Sequence, residues 1–509
     1  VAYVTAAVLA DAPGCRLAVA DLNLEAWERA AREEPGGTEL VAFLRGRRGR
    51  FYDPEEYRGW QGVWSRVRLR VAGWGAEARA FVESGGPPPG FLEPLAERAL
   101  SADPELLGLS VLFPEQLPFA LALARRAREL QPGLRVVLGG ATLSALHVED
   151  LLAACPFVDA VLPGEGEPGA GAVFRGAPWR EVPGLVWWEA GAPCRAPAAA
   201  PPEPHRLPAP DFSLLPLDRY WNPVPVLPAL GSRGCRWRRC RFCAHNDSFG
   251  AHRARAAESV AAELAALGER HGARHFYLAD QYVPAAALDG LSAALPQRAP
   301  EAAFHVMGRP GAEYGPECLE RAGRAGCRWI SWGVESGSQR LLDLVRKGTR
   351  VEQVERVLAD GRRAGISNLA MLVFGLPTSG EADLEQTLAF LERTWGDLEA
   401  TTASSFVLFE GTAFARRPER YGVGVLGNQE LLRADGRPVR SRRLIHREVA
   451  SDGSLRPPRG LLEVAAWERR RAWLGAAPFF EGLCPEHYLL HADARRRPRW
   501  PHQPLPRAA

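Results

Sequence analysis

The chain has 509 residues, 46% hydrophobic and 24% charged, with a formal net charge of +3; this is the composition of a globular protein of two or three domains, and it excludes disorder on a large scale. So small a net charge gives no reason to expect nucleic acid or a membrane surface as partner. Nine cysteines, only three of them clustered, argue against a secreted disulfide framework, and with no membrane-span or signal-peptide pattern the expectation is a reducing, cytoplasmic compartment.

One compositional feature is sharper: of 63 basic residues only Lys347 is a lysine. A chain that has drifted to arginine wherever arginine serves keeps lysine where a compact ammonium is needed and a planar guanidinium does not fit. Lys347 is therefore a candidate functional residue, with chance survival as the alternative.

Residues 1–190 alternate helical stretches with short apolar runs at 17–20, 107–112, 135–138 and 160–162. Strands alternating with helices predict a parallel, doubly wound, Rossmann-like α/β sheet, and the helix predicted over 116–130 stops at Pro132-Gly133. Gly139-Gly140 follows the third run and Gly164-Glu165-Gly166-Glu167 the fourth. The carboxyl ends of parallel strands are where such sheets bind ligands, and glycine there lets a ligand approach the backbone. A Pro- and Ala-rich stretch, 191–223, reads as a linker. From 224 to 423, apolar runs at 224–230, 275–278, 303–307, 328–332, 368–374 and 402–408 alternate with helices. Six βα units make a partial barrel, too few for a closed eight-fold one. The end of the chain, 424–509, is predicted as a small, mostly helical region; its sixteen arginines against nine acids from Tyr421 onward read as a solvated basic face.

The first βα unit carries the decisive motif. In Gly-Ser-Arg-Gly-Cys235-Arg-Trp-Arg-Arg-Cys240-Arg-Phe242-Cys243, three soft thiolate ligands share one short loop after a strand. Thiolates select iron-sulfur clusters or zinc, and three ligands leave a coordination position open for chemistry. On the residues alone zinc stays open, with His245 or His252 as a fourth ligand. The remaining cysteines, Cys15, Cys155, Cys194, Cys318, Cys327 and Cys484, are isolated and read as buried small hydrophobes. Cys484 is also a candidate catalytic thiol.

With this motif, residues 223–423 resemble the radical S-adenosylmethionine (radical SAM) superfamily. The resemblance implies that Cys235, Cys240 and Cys243 ligate a four-iron four-sulfur (4Fe-4S) cluster. Its open iron would hold S-adenosylmethionine, and an electron from the cluster would release a 5′-deoxyadenosyl radical that abstracts hydrogen from carbon. The resemblance further implies S-adenosylmethionine contacts: Phe242 near the adenine, Asp280 near the methionine amine, and Glu335, in Ser331-Trp332-Gly333-Val334-Glu335-Ser336-Gly337, at the ribose. Lys347 falls at the methionine carboxylate and Gly375, in Phe374-Gly375-Leu376-Pro377, near the adenine. One departure stands out: the family spacing is C-x3-C-x2-C, and here the first gap has four residues. An extra loop residue is a cheap insertion where only the sulfur positions matter.

The N-terminal region resembles the cobalamin-binding domain that precedes the barrel in one branch of that superfamily. Ser110-Val111-Leu112 matches its S-x-L element, Gly139-Gly140 its paired glycines and Gly164-Glu165 the start of a glycine-acid run. Ser110, Leu112, Gly139, Gly140, Gly164 and Glu165 are thus the expected cobalamin contacts. The D-x-H-x-x-G element is absent and His147 stands elsewhere, so the expectation is base-off cobalamin with no histidine on cobalt. Relatives open with a strand where this chain opens in a helix, which implies a late start or a lost first strand.

Together these resemblances imply a cobalamin-dependent radical SAM C-methyltransferase acting on an unactivated carbon of a small-molecule or peptide natural-product intermediate. It would work through the deoxyadenosyl radical and methylcobalamin, with flavodoxin or ferredoxin as electron donor. A cobalamin-containing enzyme that cyclises or rearranges without methyl transfer is the alternative within the class. A non-catalytic cobalamin- or metal-binding protein with a degenerate barrel is the alternative of another class. Methylthiotransferase chemistry is disfavoured, because no second cysteine triplet appears.

Overall fold

The computed structural model describes residues 1–47, 49–248, 250–449, 452–474 and 485–496. Its residues form two units: Val1–Phe51, Glu55–Pro223 and Asn428–Arg443 in the first, and Tyr52–Pro54, Val224–Gly427 and the described part of Leu444–Ala509 in the second.

In the first unit, helices fill the first hundred residues, and three short parallel strands follow: β1 (Leu106–Ser110), β2 (Arg135–Gly139) and β3 (Ala160–Leu162). The helix Leu117–Leu130 joins β1 to β2 and buries Leu117, Leu121, Ala124 and Ala127, a helical spacing that gives it one apolar face. Two antiparallel strands, β4 (Val186–Glu189) and β5 (Ala192–Arg195), extend the sheet in the order β1-β2-β3-β4-β5.

Three differences from the expected pattern have local causes. The run 17–20 is not a strand: it leads straight into Asp21, whose Oδ1 accepts a hydrogen bond from Leu24 N (2.9 Å) and caps the helix Leu22–Arg32. β1 ends at Ser110 rather than 112, because the amides of Leu112 and Phe113 donate instead to Gln116 Oε1 at 2.9 and 3.1 Å. The expected linker begins late, since Ala192–Arg195 is β5.

The second unit holds β6 (Val226–Ala229), the short pair β7 (Ser232–Arg233) and β8 (Arg253–Ala254), then β9 (His275–Leu278), β10 (Ala303–Gly308), β11 (Cys327–Glu335), β12 (Ser367–Phe374) and β13 (Ala400–Ser405). Except for the β7–β8 pair, these strands make one parallel six-stranded sheet in the order β13-β12-β11-β10-β9-β6. Spatial order follows chain order, as six successive βα units require. β11 lies in the middle and all nine of its residues are buried.

Toward the start of the strands, the helix Pro485–Arg496 packs on β11. Tyr488 stacks on Trp329 with ring centroids 5.0 Å apart, and Asp493 accepts from Arg328 Nε (2.9 Å) and pairs with His275 Nε2 (3.1 Å).

Beyond β14 (Leu408–Phe409), the region expected to be mostly helical opens instead with two long strands, β15 (Val423–Ala434) and β16 (Arg437–Val449), and a short β17 (Leu455–Arg456) on β16. Asp435-Gly436 joins the long strands at φ +48° and +69°, the left-handed backbone of a tight hairpin turn. Along β16 Val439 and Ser441 are buried and Arg440 between them is exposed. Arg437, Arg440 and Arg443 of this strand are exposed. Helix Gly460–Leu474 follows. Among the described residues no helix is long and apolar enough to cross a membrane.

Inside the second unit His305 is buried, 2.9 Å from Ser331 Oγ and 4.8 Å, centroid to centroid, from the Tyr277 ring. Burial pulls its imidazole from 6.5 down to about 3. The folded ring stays neutral where the unfolded one protonates, so this site's contribution is full above pH 6.5 and is lost as pH falls toward 3, by about 1.4 kcal/mol per unit. His305→Gln is expected to flatten that slope in urea unfolding measured at pH 7, 6 and 5.

Candidate active site

β6 ends at Ala229, and the chain enters β7, whose partner β8 brings it back. The hairpin loop between them carries Cys235, Cys240 and Cys243, all three half-buried and free. Gly234 opens the loop at φ +76°, where a Cβ would sit 2.7 Å from Ala251 O, so only glycine allows the two stems to approach.

The loop is bonded to the turn that follows the helix Gln339–Leu344. Arg241 N donates to Val345 O (2.9 Å), the Arg241 guanidinium to Leu344 O (2.6 Å) and Trp237 Nε1 to Arg346 O (2.9 Å). The next residue is Lys347. Its ammonium donates to Glu335 Oε1 at 2.6 Å, with the two side chains only 9% and 11% exposed. Glu335 closes β11 at φ +66°, past an irregularity in its pairing with β12. Gly333 makes room for the pair, because a Cβ there would lie 2.6 Å from Nζ and 2.9 Å from Oε1. Burial alone would lower the pKa of Lys347, but Glu335 and then Cys240 outweigh it and the net direction is up. The lysine is held charged.

Asp280, just past β9, is 2% exposed and accepts from Gly231 N (2.9 Å) and Ser232 Oγ (2.5 Å), the residues that lead into the cysteine loop. Burial pushes its carboxyl up to about 6 against those bonds. Phe242 packs on an apolar cluster that includes Leu341, Val345, Leu376 and Phe406. Gly375, at φ +69°, donates its N–H to Glu463 Oε2 (2.7 Å), and a Cβ on it would lie 2.4 Å from Gly460 Cα. The amino end of helix Gly460–Leu474 thus covers this glycine, while Ser379 Oγ donates to the other Glu463 oxygen (2.9 Å).

The residues singled out in the sequence therefore gather at the carboxyl ends of the barrel strands. Ser232, Trp237 and Glu463 join them unannounced. Only Trp237 had a sequence signal, its place in the enlarged gap between the first two cysteines. Cys484 lies outside the described residues.

The donor set can be tested against a cluster. Burial pushes the Cys240 thiol up to about 12 and raises Cys243, and the neighbouring thiols add to the Cys240 shift. Such thiols give up their protons to a strongly positive centre, as a metal ligand does. Among the described residues no group of three or more His, Cys, Asp or Glu side chains is already arranged around a single ion. Burial keeps His245 on the neutral side, and burial with Arg236 does the same for His252. A 4Fe-4S cluster takes each thiolate on a different iron, and three free cysteines on one loop are the donor set it calls for.

In the first unit, Ser110, Leu112, Gly139, Gly140, Gly164 and Glu165 all lie at the carboxyl ends of β1, β2 and β3. Gly140, at φ +109°, passes so close to Val111 that a Cβ would meet its carbonyl oxygen at 2.4 Å. Gly164, at φ +83°, donates to Ser144 Oγ (3.0 Å) and has open space where a Cβ would be. Beside these turns the side chains of Leu112 and Phe113 are 46% and 62% exposed. The open turn at Gly164 and the uncovered apolar side chains of Leu112 and Phe113 suit a large, partly apolar ligand. His147 Nε2 lies 3.1 Å from Asn428 Nδ2.

Residues 230–391 match the radical SAM superfamily and residues 71–174 the B12 binding domain. The chain carries a B12-binding domain followed by a radical SAM domain. These domains imply a 4Fe-4S cluster, S-adenosylmethionine and cobalamin. An uncharacterized methyltransferase of Pyrococcus horikoshii is 26% identical over 305 residues, 57% of this chain and 64% of the relative. The anaerobic magnesium-protoporphyrin IX monomethyl ester cyclase of Rubrivivax gelatinosus is 27% identical over 322 residues, 59% of this chain and 56% of the enzyme. The chain thus spans less than two thirds of the length of either relative. Among solved structures, the cobalamin-dependent S-adenosylmethionine radical enzyme OxsB with aqua-cobalamin aligns with a TM-score of 0.59 at 20% identity, over 74% of this chain and 60% of that one. The radical S-adenosylmethionine methyltransferase TsrM from Kitasatospora setae aligns with a TM-score of 0.55 at 18% identity, over 81% of this chain and 91% of that one. At these identities both likenesses concern the fold.

The Lys347–Glu335 pair makes a direct prediction. Lys347→Met alone leaves a buried carboxylate without its partner and is expected to cost about 3–5 kcal/mol, most of which Glu335→Gln in the same chain should restore. A double-mutant cycle in urea unfolding of the cofactor-free protein measures both.

Proposed function

We propose that the protein is a cobalamin-dependent radical SAM enzyme that methylates an unactivated carbon of a small-molecule or peptide natural-product intermediate. The observation that carries the reading is the assembly of the cysteine loop, Lys347 and Glu335 at the carboxyl end of a parallel six-stranded sheet, in a chain that also has a B12-binding domain. In this reading Cys235, Cys240 and Cys243 hold the cluster. Lys347 meets the methionine carboxylate and Asp280 the amine, Glu335 the ribose, and Phe242 and Gly375 flank the adenine. Once bound, the cofactors supply a carbon-centred radical and a methyl carrier. The chain's own residues orient them. Lys347 brings a fixed positive charge that needs no proton exchange, and Asp280, with its raised pKa, can accept a hydrogen bond from an ammonium and is ionised by its approach.

Ser110, Leu112, Gly139, Gly140, Gly164 and Glu165 line the cobalamin site in this reading, and no histidine reaches cobalt. A small-molecule or peptide substrate and a one-electron protein donor complete the set of partners. The cyclase relative gives a second reading, radical cyclisation or rearrangement without methyl transfer.

Cys240→Ala is expected to abolish the visible absorption of a reconstituted cluster while cobalamin is still retained by the B12-binding domain; a variant that keeps the absorption would remove Cys240 from the ligand set. For the methyl step, reduced holoprotein given S-adenosylmethionine with a labelled methyl group is expected to yield labelled cobalamin. Cofactor cleavage with unlabelled cobalamin would favour the second reading.

A further inference from the structure

The enlarged gap between Cys235 and Cys240 contains the residue that grips Lys347 from outside. The turn Arg346-Lys347-Gly348 is costly backbone: Arg346 stands at φ +54° and Gly348 at φ +71°. A left-handed conformation is unfavourable for any residue with a Cβ, so a turn with Arg346 in it persists only when its surroundings hold it.

Trp237 and Arg309 supply that hold. Trp237 Nε1 donates to Arg346 O at 2.9 Å, on one side of Lys347. Its ring fills the space over Gly348, where a Cβ would lie 2.1 Å from the indole. Arg309, the residue after β10, stacks its guanidinium 4.2 Å from the ring centroid and donates to Gly348 O (2.8 Å) and Lys347 O (3.4 Å). Arg239, from the same gap, lies 5.0 Å from the ring. Arg309 is itself fixed by Glu313 at 2.7 Å. The carbonyls of all three residues of the turn are therefore engaged by Trp237 or Arg309. With its own carbonyl and both neighbours held, Lys347 leaves a fixed backbone, and its ammonium is met by Glu335.

We propose that Trp237 is a positioning residue: the four-residue gap lets the cluster loop reach across and set Lys347 for the methionine carboxylate of S-adenosylmethionine, so that cluster and cofactor-binding lysine are placed as one piece. The proposal rests on the functional reading above and adds a residue whose contacts are with the turn that carries Lys347 and with Arg309. In this chain the longer loop has a task.

The test uses the full chain, reconstituted anaerobically with iron, sulfide and cobalamin, as wild type, Trp237→Phe and Trp237→Ala. Three quantities are read for each: iron per chain, the S-adenosylmethionine dissociation constant by equilibrium dialysis, and the change in the reduced cluster's electron paramagnetic resonance spectrum when S-adenosylmethionine is added. Trp237→Phe keeps a ring against Arg309 and Gly348 and loses only the N–H donor to Arg346. It is expected to load iron as wild type does and to weaken S-adenosylmethionine binding about threefold to tenfold. Trp237→Ala is expected to weaken binding by more than tenfold and to blunt the spectral change.

Variants that match wild type in affinity and spectrum overturn the proposal, as does a Trp237→Ala that loses iron beside a Trp237→Phe indistinguishable from wild type; Trp237 would then be loop packing. A wild type that takes up no iron overturns the functional reading, and the proposal with it. A wild type that loads and responds, beside variants that bind equally well, overturns the proposal alone.

Discussion

A buried ion pair, Lys347 with Glu335, organises the second unit's candidate site. Taking two charges out of water is expensive, and such a pair is tolerated only with close geometry and fixed partners. The structure supplies both from strained backbone. Glu335 stands at φ +66°, Arg346 and Gly348 on either side of Lys347 are left-handed, and Gly333 is bare so that the two charged groups can meet above it. Each non-glycine residue in that conformation costs about 1–2 kcal/mol. A fold that needed only stability would have placed apolar side chains here, so the strain is better explained by a task than by packing.

The task becomes intelligible from what the pair touches. Cys240 and Cys243 lie within the electrostatic reach of Lys347, and the loop that carries them is hydrogen-bonded to the turn that carries the lysine. Asp280 is bonded to the residues that lead into that loop. Displacing any one of these groups therefore disturbs the others. An active site that must hold a cluster and a charged cofactor in register gains from that coupling, because positioning is what the protein contributes when the cofactors carry the chemistry.

Much of this was legible in the sequence because local chemistry dictated it. Five of the six barrel strands are apolar runs long enough to be read singly, the sixth, Ala400–Ser405, is mostly polar and starts ahead of the run 402–408, and the three thiols and the lone lysine are marked by residue type. What was hidden depended on partners far away in the chain. The hairpin Val423–Val449 was masked by its arginines, of which Arg437, Arg440 and Arg443 are exposed around buried Val439 and Ser441, although Asp435-Gly436 announced its turn. The run 17–20 looks like a strand, but no neighbour pairs with it among the described residues, and the helix cap at Asp21 claims its end. Gly375 was expected near the adenine, and only the fold reveals Glu463 and Gly460 against it. The enlarged gap between Cys235 and Cys240 was visible, but the part Trp237 plays in it appears only with its contact to Arg346, more than a hundred positions away.

The central claim is that this assembly supports reductive cleavage of S-adenosylmethionine. The most direct measurement is 5′-deoxyadenosine formed by the anaerobically reconstituted full chain with S-adenosylmethionine and a low-potential reductant. The account predicts 5′-deoxyadenosine from the wild type and a marked loss in Lys347→Arg, whose planar guanidinium does not fit the place of the ammonium. A wild-type chain that carries an intact cluster, binds S-adenosylmethionine and yields no 5′-deoxyadenosine would contradict it.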